Sequence, residues 1–325
     1  MNILVTGGAG YIGSHVAKNL KQNGFNPIIY DNLSTGHEKV AQILDIPLIY
    51  GDIRDKTLLE QTLRNNKIDV VIHLAALSIV FQSMSDPISY YNNNVYGTMC
   101  LLESMEGTGV NKIVFSSTAA VYGESGTMPI DETCKTEPSN VYGETKLSIE
   151  RMLHWFDIAY GIKHVIFRYF NAAGADKESK IGEMHTPETH LIPIILNAAK
   201  TGATINIFGD DYDTPDGTCI RDYLHVSDIA EAHLLAVKKL SEKNVKSEIY
   251  NLGSEHGYSV KQIIDTSEKI TNLTLNKKIS LRRKGDPEVL IASSKKAQKE
   301  LGWTMEYTDI SEIIETAWKF IERNF

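Results

Sequence analysis

The sequence predicts an α/β protein: a Rossmann-type doubly wound parallel sheet followed by a smaller C-terminal α/β lobe. Three observations predict it. Short apolar runs alternate with amphipathic stretches through the first half of the chain. A glycine-rich turn joins the first apolar run to the first helical stretch. Beyond about Gly174 the alternation stops, and Pro, Gly and Asp become frequent.

In chain order, Asn2 to Thr6 reads as a strand built on Ile3-Leu4-Val5, and Tyr11 to Gln22 as the helix after it. Pro27 to Tyr30, Leu48 to Tyr50, Val70 to Leu74, Lys112 to Ser116 and His164 to Tyr169 read as further strands. Pro87 to Met105 and Val141 to Tyr160 read as helices. Near-continuous apolar strands separated by helical crossovers imply a parallel sheet covered on both faces. The division expected is 1–174 for a nucleotide-binding lobe and 175–325 for a substrate lobe. Asp222 to Leu240 and Ile249 to Leu252 are candidates to rejoin the sheet.

At 325 residues the chain is long enough for two lobes sharing a cleft. The formal charge of −8 argues against a nucleic-acid partner, so any anionic ligand must be held by local Arg and Lys. Cys100, Cys134 and Cys219 are odd in number and scattered, which argues against a disulfide framework and suits a reducing cytoplasm. The apolar stretch Val70 to Phe81 is too short for a membrane span, and a strand-like start leaves no signal peptide to expect.

Gly7, Gly10 and Gly13 give G-x-x-G-x-x-G between strand and helix. Glycine permits a tight turn and close approach to a pyrophosphate, which the free amides of a helix N-terminus attract. Asp31 ends the second strand, where a carboxylate suits the ribose hydroxyls of NAD and repels the extra phosphate of NADP. Asp52, after the third strand, reads equally well as an adenine contact or a solvated strand end.

Tyr142 and Lys146 form Y-x-x-x-K in a helical segment, so both side chains share one face. An ordinary tyrosine, with a pKa of about 10, is a poor base at neutral pH. A neighbouring ammonium and an oxidised nicotinamide would favour the phenolate, making Tyr142 a general base for a hydroxyl proton. Before them, Phe115-Ser116-Ser117-Thr118 is a strand ending in hydroxyls that suit hydrogen bonding to a reacting alcohol.

With these motifs the chain resembles the extended short-chain dehydrogenase/reductase family and, within it, the UDP-glucose 4-epimerases. Further stretches carry the resemblance: Asp31-Asn32-Leu33-Ser34, Gly51-Asp52-Ile53-Arg54, Arg168-Tyr169-Phe170-Asn171, Glu188-Thr189-His190-Leu191, Ile220-Arg221-Asp222-Tyr223 and Tyr250-Asn251-Leu252-Gly253. It implies that Tyr142 takes the sugar O4 proton while hydride leaves C4 for a tightly held NAD. Thr118 would orient that hydroxyl, and Lys146 would bind the nicotinamide ribose. For NAD it adds Tyr11, Ile12, Asn32, Leu33, Ser34, Thr35, Gly36, Asp52, Ile53, Leu74, Ala75, Ala76, Ser78, Asn93 and Phe170. For a UDP-hexose it points to Asn171, His190, Leu191, Asn206, Ile207, Phe208, Arg221, Arg283, Asp286 and Leu290, and it implies a homodimer. Three departures stand out. Thr118 replaces the usual serine, Ser78 stands where a lysine often meets the pyrophosphate, and Leu290 occupies the position that gates the sugar 2-substituent.

Rival readings differ at particular residues. A sugar-nucleotide dehydratase places Asp-Glu directly after the catalytic Thr, whereas Ala119-Ala120 follow here. Epimerases of N-acetylated, pentose or uronate UDP-sugars stay open, as does a non-catalytic NAD sensor, although such proteins usually lose the Tyr or Lys. Glu183, His185, Glu188 and His190 lack H-E-x-x-H order and flank Pro187, so they read as a polar cleft loop and no metal is expected.

Overall fold

The computed structural model describes residues 1–124, 126–283 and 287–324. Its central sheet has seven strands in the order Glu248–Leu252, Lys163–Tyr169, Lys112–Ser116, Val70–His73, Asn2–Thr6, Asn26–Asp31 and Leu48–Tyr50. Every neighbouring pair is parallel. Side chains alternate between two cores, as a period of two requires. Ile3, Val5, Val70, Ile72 and Val165 join one core with Val16 and Leu20 of helix Tyr11–Gln22 and Ile229 and Val237 of helix Val226–Leu240. Leu4, Val71, Ile113 and Ile166 join the other, with residues of helices Lys56–Asn65, Gly97–Thr108 and Val141–Tyr160.

Strand order reverses between Asn2–Thr6 and Val70–His73, whose outward crossovers run in opposite directions. In an open parallel sheet that reversal leaves a crevice beyond the carboxyl ends of the strands. The turn after Thr6 and the segment after His73 border it.

The stretch expected to be one helix from Pro87 to Met105 is instead interrupted. Helix Pro87–Tyr90 passes into a π-helical turn, Tyr91–Tyr96, and then into helix Gly97–Thr108. Side-chain bonding accounts for the wide turn. The Asn94 amide donates to Leu77 O at 3.0 Å and to Thr145 Oγ1 at 3.1 Å, while its carbonyl accepts from Leu77 N at 2.8 Å. The extra residue in the turn lets Asn94 reach both segments, a use π-turns often have beside functional sites.

A third core joins helices Leu191–Thr201, Val260–Thr271 and Ile310–Asn324. Beside it, Thr204–Phe208 and Asn276–Ser280 pair in parallel. The later chain also reaches back to the main sheet: Glu248–Leu252 is its edge strand, and Trp303 is wholly buried in the first core. The Trp303 indole donates to Asp228 O at 2.8 Å, and the Asp228 carboxylate accepts from Glu306 N at 2.8 Å.

Glu150 and Arg168 form a buried ion pair between helix Val141–Tyr160 and strand Lys163–Tyr169. Glu150 Oε1 accepts from Arg168 Nε at 3.0 Å and from the Ser117 hydroxyl at 2.5 Å. Arg168 Nη1 also donates to Tyr122 Oη at 2.9 Å, and Tyr122 donates to Asn251 Oδ1 at 2.7 Å. Removing one partner strands the other charge in a low-dielectric interior. Glu150→Ala is therefore expected to lower unfolding free energy by about 3–5 kcal/mol, read by chemical denaturation.

Candidate active site

The cleft at the strand-order reversal has a volume of about 1040 Å³. That is at the upper end of ordinary small-molecule sites, room for a dinucleotide and a second large ligand together. At its floor lies the glycine turn. Gly7 has φ +71°, and a Cβ there would stand 2.7 Å from Ala75 N. A Cβ on Gly13 would stand 2.1 Å from Gly7 O. Only glycine lets the two segments approach so closely. The helix that follows is capped by no side chain and has no acidic residue in its first turn. Its amides and positive dipole end are left to an anion.

Asp31 closes one end. Its carboxylate accepts from Ala9 N at 3.0 Å and Leu33 N at 2.8 Å, which fixes its orientation. Burial pushes its pKa up, and the two amide bonds oppose that. A glycine cradle, an uncapped helix terminus and an oriented carboxylate together fit a dinucleotide.

At the centre, Thr118 lies two residues beyond strand Lys112–Ser116 and accepts from Ala120 N at 3.1 Å, capping the short turn Ala119–Tyr122. Helix Val141–Tyr160 starts beside it, capped by the Asn140 side chain, which accepts from Gly143 N at 2.8 Å. A Cβ on Gly143 would meet Ala120 O at 2.5 Å. This contact lets the helix start close against the turn after Thr118, so that the Thr118 hydroxyl acts on the Tyr142 phenol. Lys146 is buried one helical turn on, donating to Ser116 O at 2.7 Å, with Nζ 6.0 Å from the Tyr142 ring centre.

The electrostatics differ from the sequence expectation of an ammonium activating the phenol. Burial pushes the Tyr142 pKa up; Tyr169 adds to this and the Thr118 hydroxyl opposes it. Burial pushes Lys146 down to about 7, with Glu150 opposing. Desolvation thus outweighs the pair's mutual effect in the ligand-free cleft.

Most sequence-predicted positions line this cleft: Gly7, Gly10 to Gly13, Asp31, Asn32, Ser34, Thr35, Ile53, Leu74 to Ala76, Ser78, Asn93, Thr118, Tyr142, Lys146, Phe170, Asn171, His190, Arg221, Arg283 and Leu290. Others lie behind the lining. Leu33 packs against the first core, and Leu191 and Ile207 against the third. Gly36 backs onto the Asp31 carboxylate. Asp52 is engaged by the Arg54 guanidinium and by Asn32 Nδ2 at 3.1 Å; its pKa is held well below the carboxylate range, chiefly by the Arg54 hydrogen bond. Asn206 and Phe208 sit on the strand paired with Asn276–Ser280, and the Arg283 guanidinium stacks 4.1 Å above the Phe208 ring. Asp286 lies outside the described residues.

Glu183, His185 and Thr189 of the loop expected at the cleft line it too, as do Ser116 and Ser117 of the hydroxyl cluster and Tyr169, while Phe81 and Met84 join them with no sequence expectation. The hydroxyl cluster and the His/Glu spacing were visible signals. Nothing in sequence marks Phe81, whose ring is 76% exposed beside the cleft.

A cleft so arranged suits hydride exchange between a bound dinucleotide and the alcohol of an anionic substrate. Residues 3–253 match the NAD dependent epimerase/dehydratase family, and the chain belongs to it. It is 50% identical over 325 residues to the UDP-glucose 4-epimerase of Lacticaseibacillus casei, covering 100% of this chain and 98% of that one. It is 51% identical over 321 residues to the UDP-glucose 4-epimerase of Halalkalibacterium halodurans, covering 98% and 95%. The crystal structure of UDP-glucose 4-epimerase from Brucella ovis in complex with NAD superposes with a TM-score of 0.95 at 44% identity, covering 98% of this chain and 97% of that one.

The Lys146 environment makes a testable prediction for ligand-free protein. Its folded pKa is about 7 against an ordinary 10.5, so the unfolded chain binds more protons between those values. Stability relative to Lys146→Met should therefore rise with pH from about 7 to 10 and stay level below 7. Denaturant melts of both proteins at pH 6 and pH 9.5 measure it.

Proposed function

We propose that this chain is a UDP-glucose 4-epimerase, interconverting UDP-galactose and UDP-glucose through a 4-keto sugar with NAD retained between cycles. The observation that carries the reading is that Thr118, Tyr142 and Lys146 line the same cleft as the glycine turn, within a chain so similar from end to end to UDP-glucose 4-epimerases. NAD, when bound, accepts a hydride from sugar C4 and returns it.

Tyr142 takes the O4 proton as the C4–H bond breaks and gives it back when the ketone is reduced on its other face. Thr118 orients O4, and the buried Lys146 holds the nicotinamide ribose. The cofactor's positive charge offsets the desolvation that keeps the phenol neutral in the ligand-free cleft. Asp31 hydrogen-bonds the adenosine ribose and disfavours a 2′-phosphate. Arg221 and Arg283, cations on the lining of an acidic protein, clamp the substrate diphosphate by bidentate bonds. With Ala119 and Ala120 after Thr118, no carboxylate stands there to drive elimination, which separates this reading from a dehydratase.

The protein as purified is expected to carry NAD and to turn over UDP-galactose; assays with UDP-N-acetylgalactosamine and a UDP-pentose alongside define how the Leu290 position treats other sugars. Tyr142→Phe should keep its NAD and lose roughly 10²–10⁴-fold in turnover number. Full activity in that variant would sink the mechanism.

We also propose a cytoplasmic homodimer. Cys100 and Cys134 are free thiols, as a reducing compartment favours. Among the described residues no helix is long and apolar enough to cross a membrane. Ile88 and Tyr96 on one helical segment and Trp155 and Ile158 on helix Val141–Tyr160 are large apolar side chains left exposed. A second copy of the same two helices would cover them, as an isologous interface requires. Trp155→Glu with Ile158→Glu should sediment as a monomer where the parent sediments as a dimer.

A further inference from the structure

Four potential metal ligands gather on the loop that leads into helix Leu191–Thr201: Glu183, His185, Glu188 and His190. Each offers one donor atom, and the four atoms lie within 4.8 Å of one another. Glu183 Oε1 stands 3.0 Å from His185 Nδ1 and 2.6 Å from His190 Nδ1. Glu188 Oε1 stands 3.1 Å from that same His190 nitrogen. Absence of H-E-x-x-H order argued against a metal, but that order describes two ligands on a single helix. Here the ligands come from a turn through Thr186-Pro187, which folds the segment back on itself.

A further observation points to a cation. The Glu183 side chain is only 6% exposed, although Glu188 shares its histidine partner. Two carboxylates converging on one imidazole leave net negative charge in a partly desolvated place even when that imidazole is protonated, and a divalent ion would offset it.

We propose that Glu183, His185, Glu188 and His190 form a closed, four-coordinate site for a divalent transition ion, with zinc the best match. Two imidazoles and two carboxylates are zinc donors, and they suit Mg²⁺ poorly, which prefers an all-oxygen shell with several waters. Tetrahedral bonds of about 2.0–2.2 Å set ligand atoms roughly 3.4 Å apart. The contacts here are a few tenths of an ångström to under one ångström shorter, the spacing of hydrogen bonds whose protons a metal would replace. Binding therefore releases a proton from the histidine–carboxylate cluster. With four protein ligands the site is structural, and no position is left for a reacting group.

The metal fixes the cleft side of the loop. Coordination at His190 Nδ1 leaves the proton on Nε2, so the ring offers a donor to the cleft it lines. His37 Nε2, from the segment after Asp31, is 2.9 Å from Met184 O, which joins the same loop to the nucleotide side. The site stands independently of the epimerase reading, because it requires only the loop geometry.

The test uses the full chain, stripped with a chelator and dialysed. Titration with Zn²⁺ should load one ion per chain, with Mg²⁺ unable to compete. Co²⁺ in place of Zn²⁺ should give the intense visible bands of a four-coordinate ion. His185→Asn with Glu188→Gln should weaken zinc binding at least about tenfold, while His154→Asn, at an exposed histidine elsewhere, should leave it unchanged. The Co²⁺ spectrum of the parent protein does not depend on any variant folding. A six-coordinate Co²⁺ spectrum or none, or zinc held equally by the double variant, overturns the proposal.

Discussion

Glu150 accepts from both Ser117 and Arg168, and through those bonds fixes helix Val141–Tyr160 against the ends of two neighbouring strands. The relative placement of Thr118, Tyr142 and Lys146 depends on that junction. Thr118 follows the strand residue that Glu150 holds, and Lys146 lies one turn before Glu150 on the same helix. Arg168 extends the network through Tyr122 to Asn251, which brings in the edge strand of the sheet. Such a pair gains little over a well-packed apolar replacement in bare stability. Its value lies in geometry, because bonds to an oriented carboxylate leave the helix few alternative registers.

Close backbone approach is the second constraint, and it acts at both halves of the cleft. Gly7 and Gly13 bring the first helix against the segment after His73, and Gly143 brings the later helix against Ala120. Between these contacts Tyr142 and Lys146 are buried deeply enough that desolvation dominates their titration. Burial holds the phenol neutral and lowers the lysine to about 7, so a charged ligand changes the balance at both. The same burial that makes Tyr142 a poor base alone strengthens its response to a nearby positive charge.

Local signals in the sequence carried most of the architecture. Apolar strands such as Ile3-Leu4-Val5 and Val70-Val71-Ile72 are buried on both faces, so their composition announces them. The glycine turn and the Tyr142/Lys146 pair are likewise short-range patterns. What escaped depended on contacts between distant segments. The π-turn at Tyr91–Tyr96 follows from Asn94 bonding Leu77 and Thr145, a tie no helical periodicity reveals. Leu33 stands outside the cleft lining because it packs against the first core, a contact its own stretch does not announce. Phe81 borders the cleft although an exposed aromatic ring has no signature in sequence.

The late arrival of strand Glu248–Leu252 has a consequence for synthesis on the ribosome. Lys163–Tyr169 pairs with Lys112–Ser116 on one side and waits for residue 252 on the other. At ordinary elongation rates that wait is on the order of 10 s. Throughout it the nascent sheet presents an open edge containing Val165, Ile166 and Phe167, a ready template for pairing with another chain. Helix Val226–Leu240, which covers this strand's face in the finished fold, emerges only shortly before. The protein's exposure to misassembly is therefore concentrated in the interval between translation of its catalytic helix and completion of its sheet.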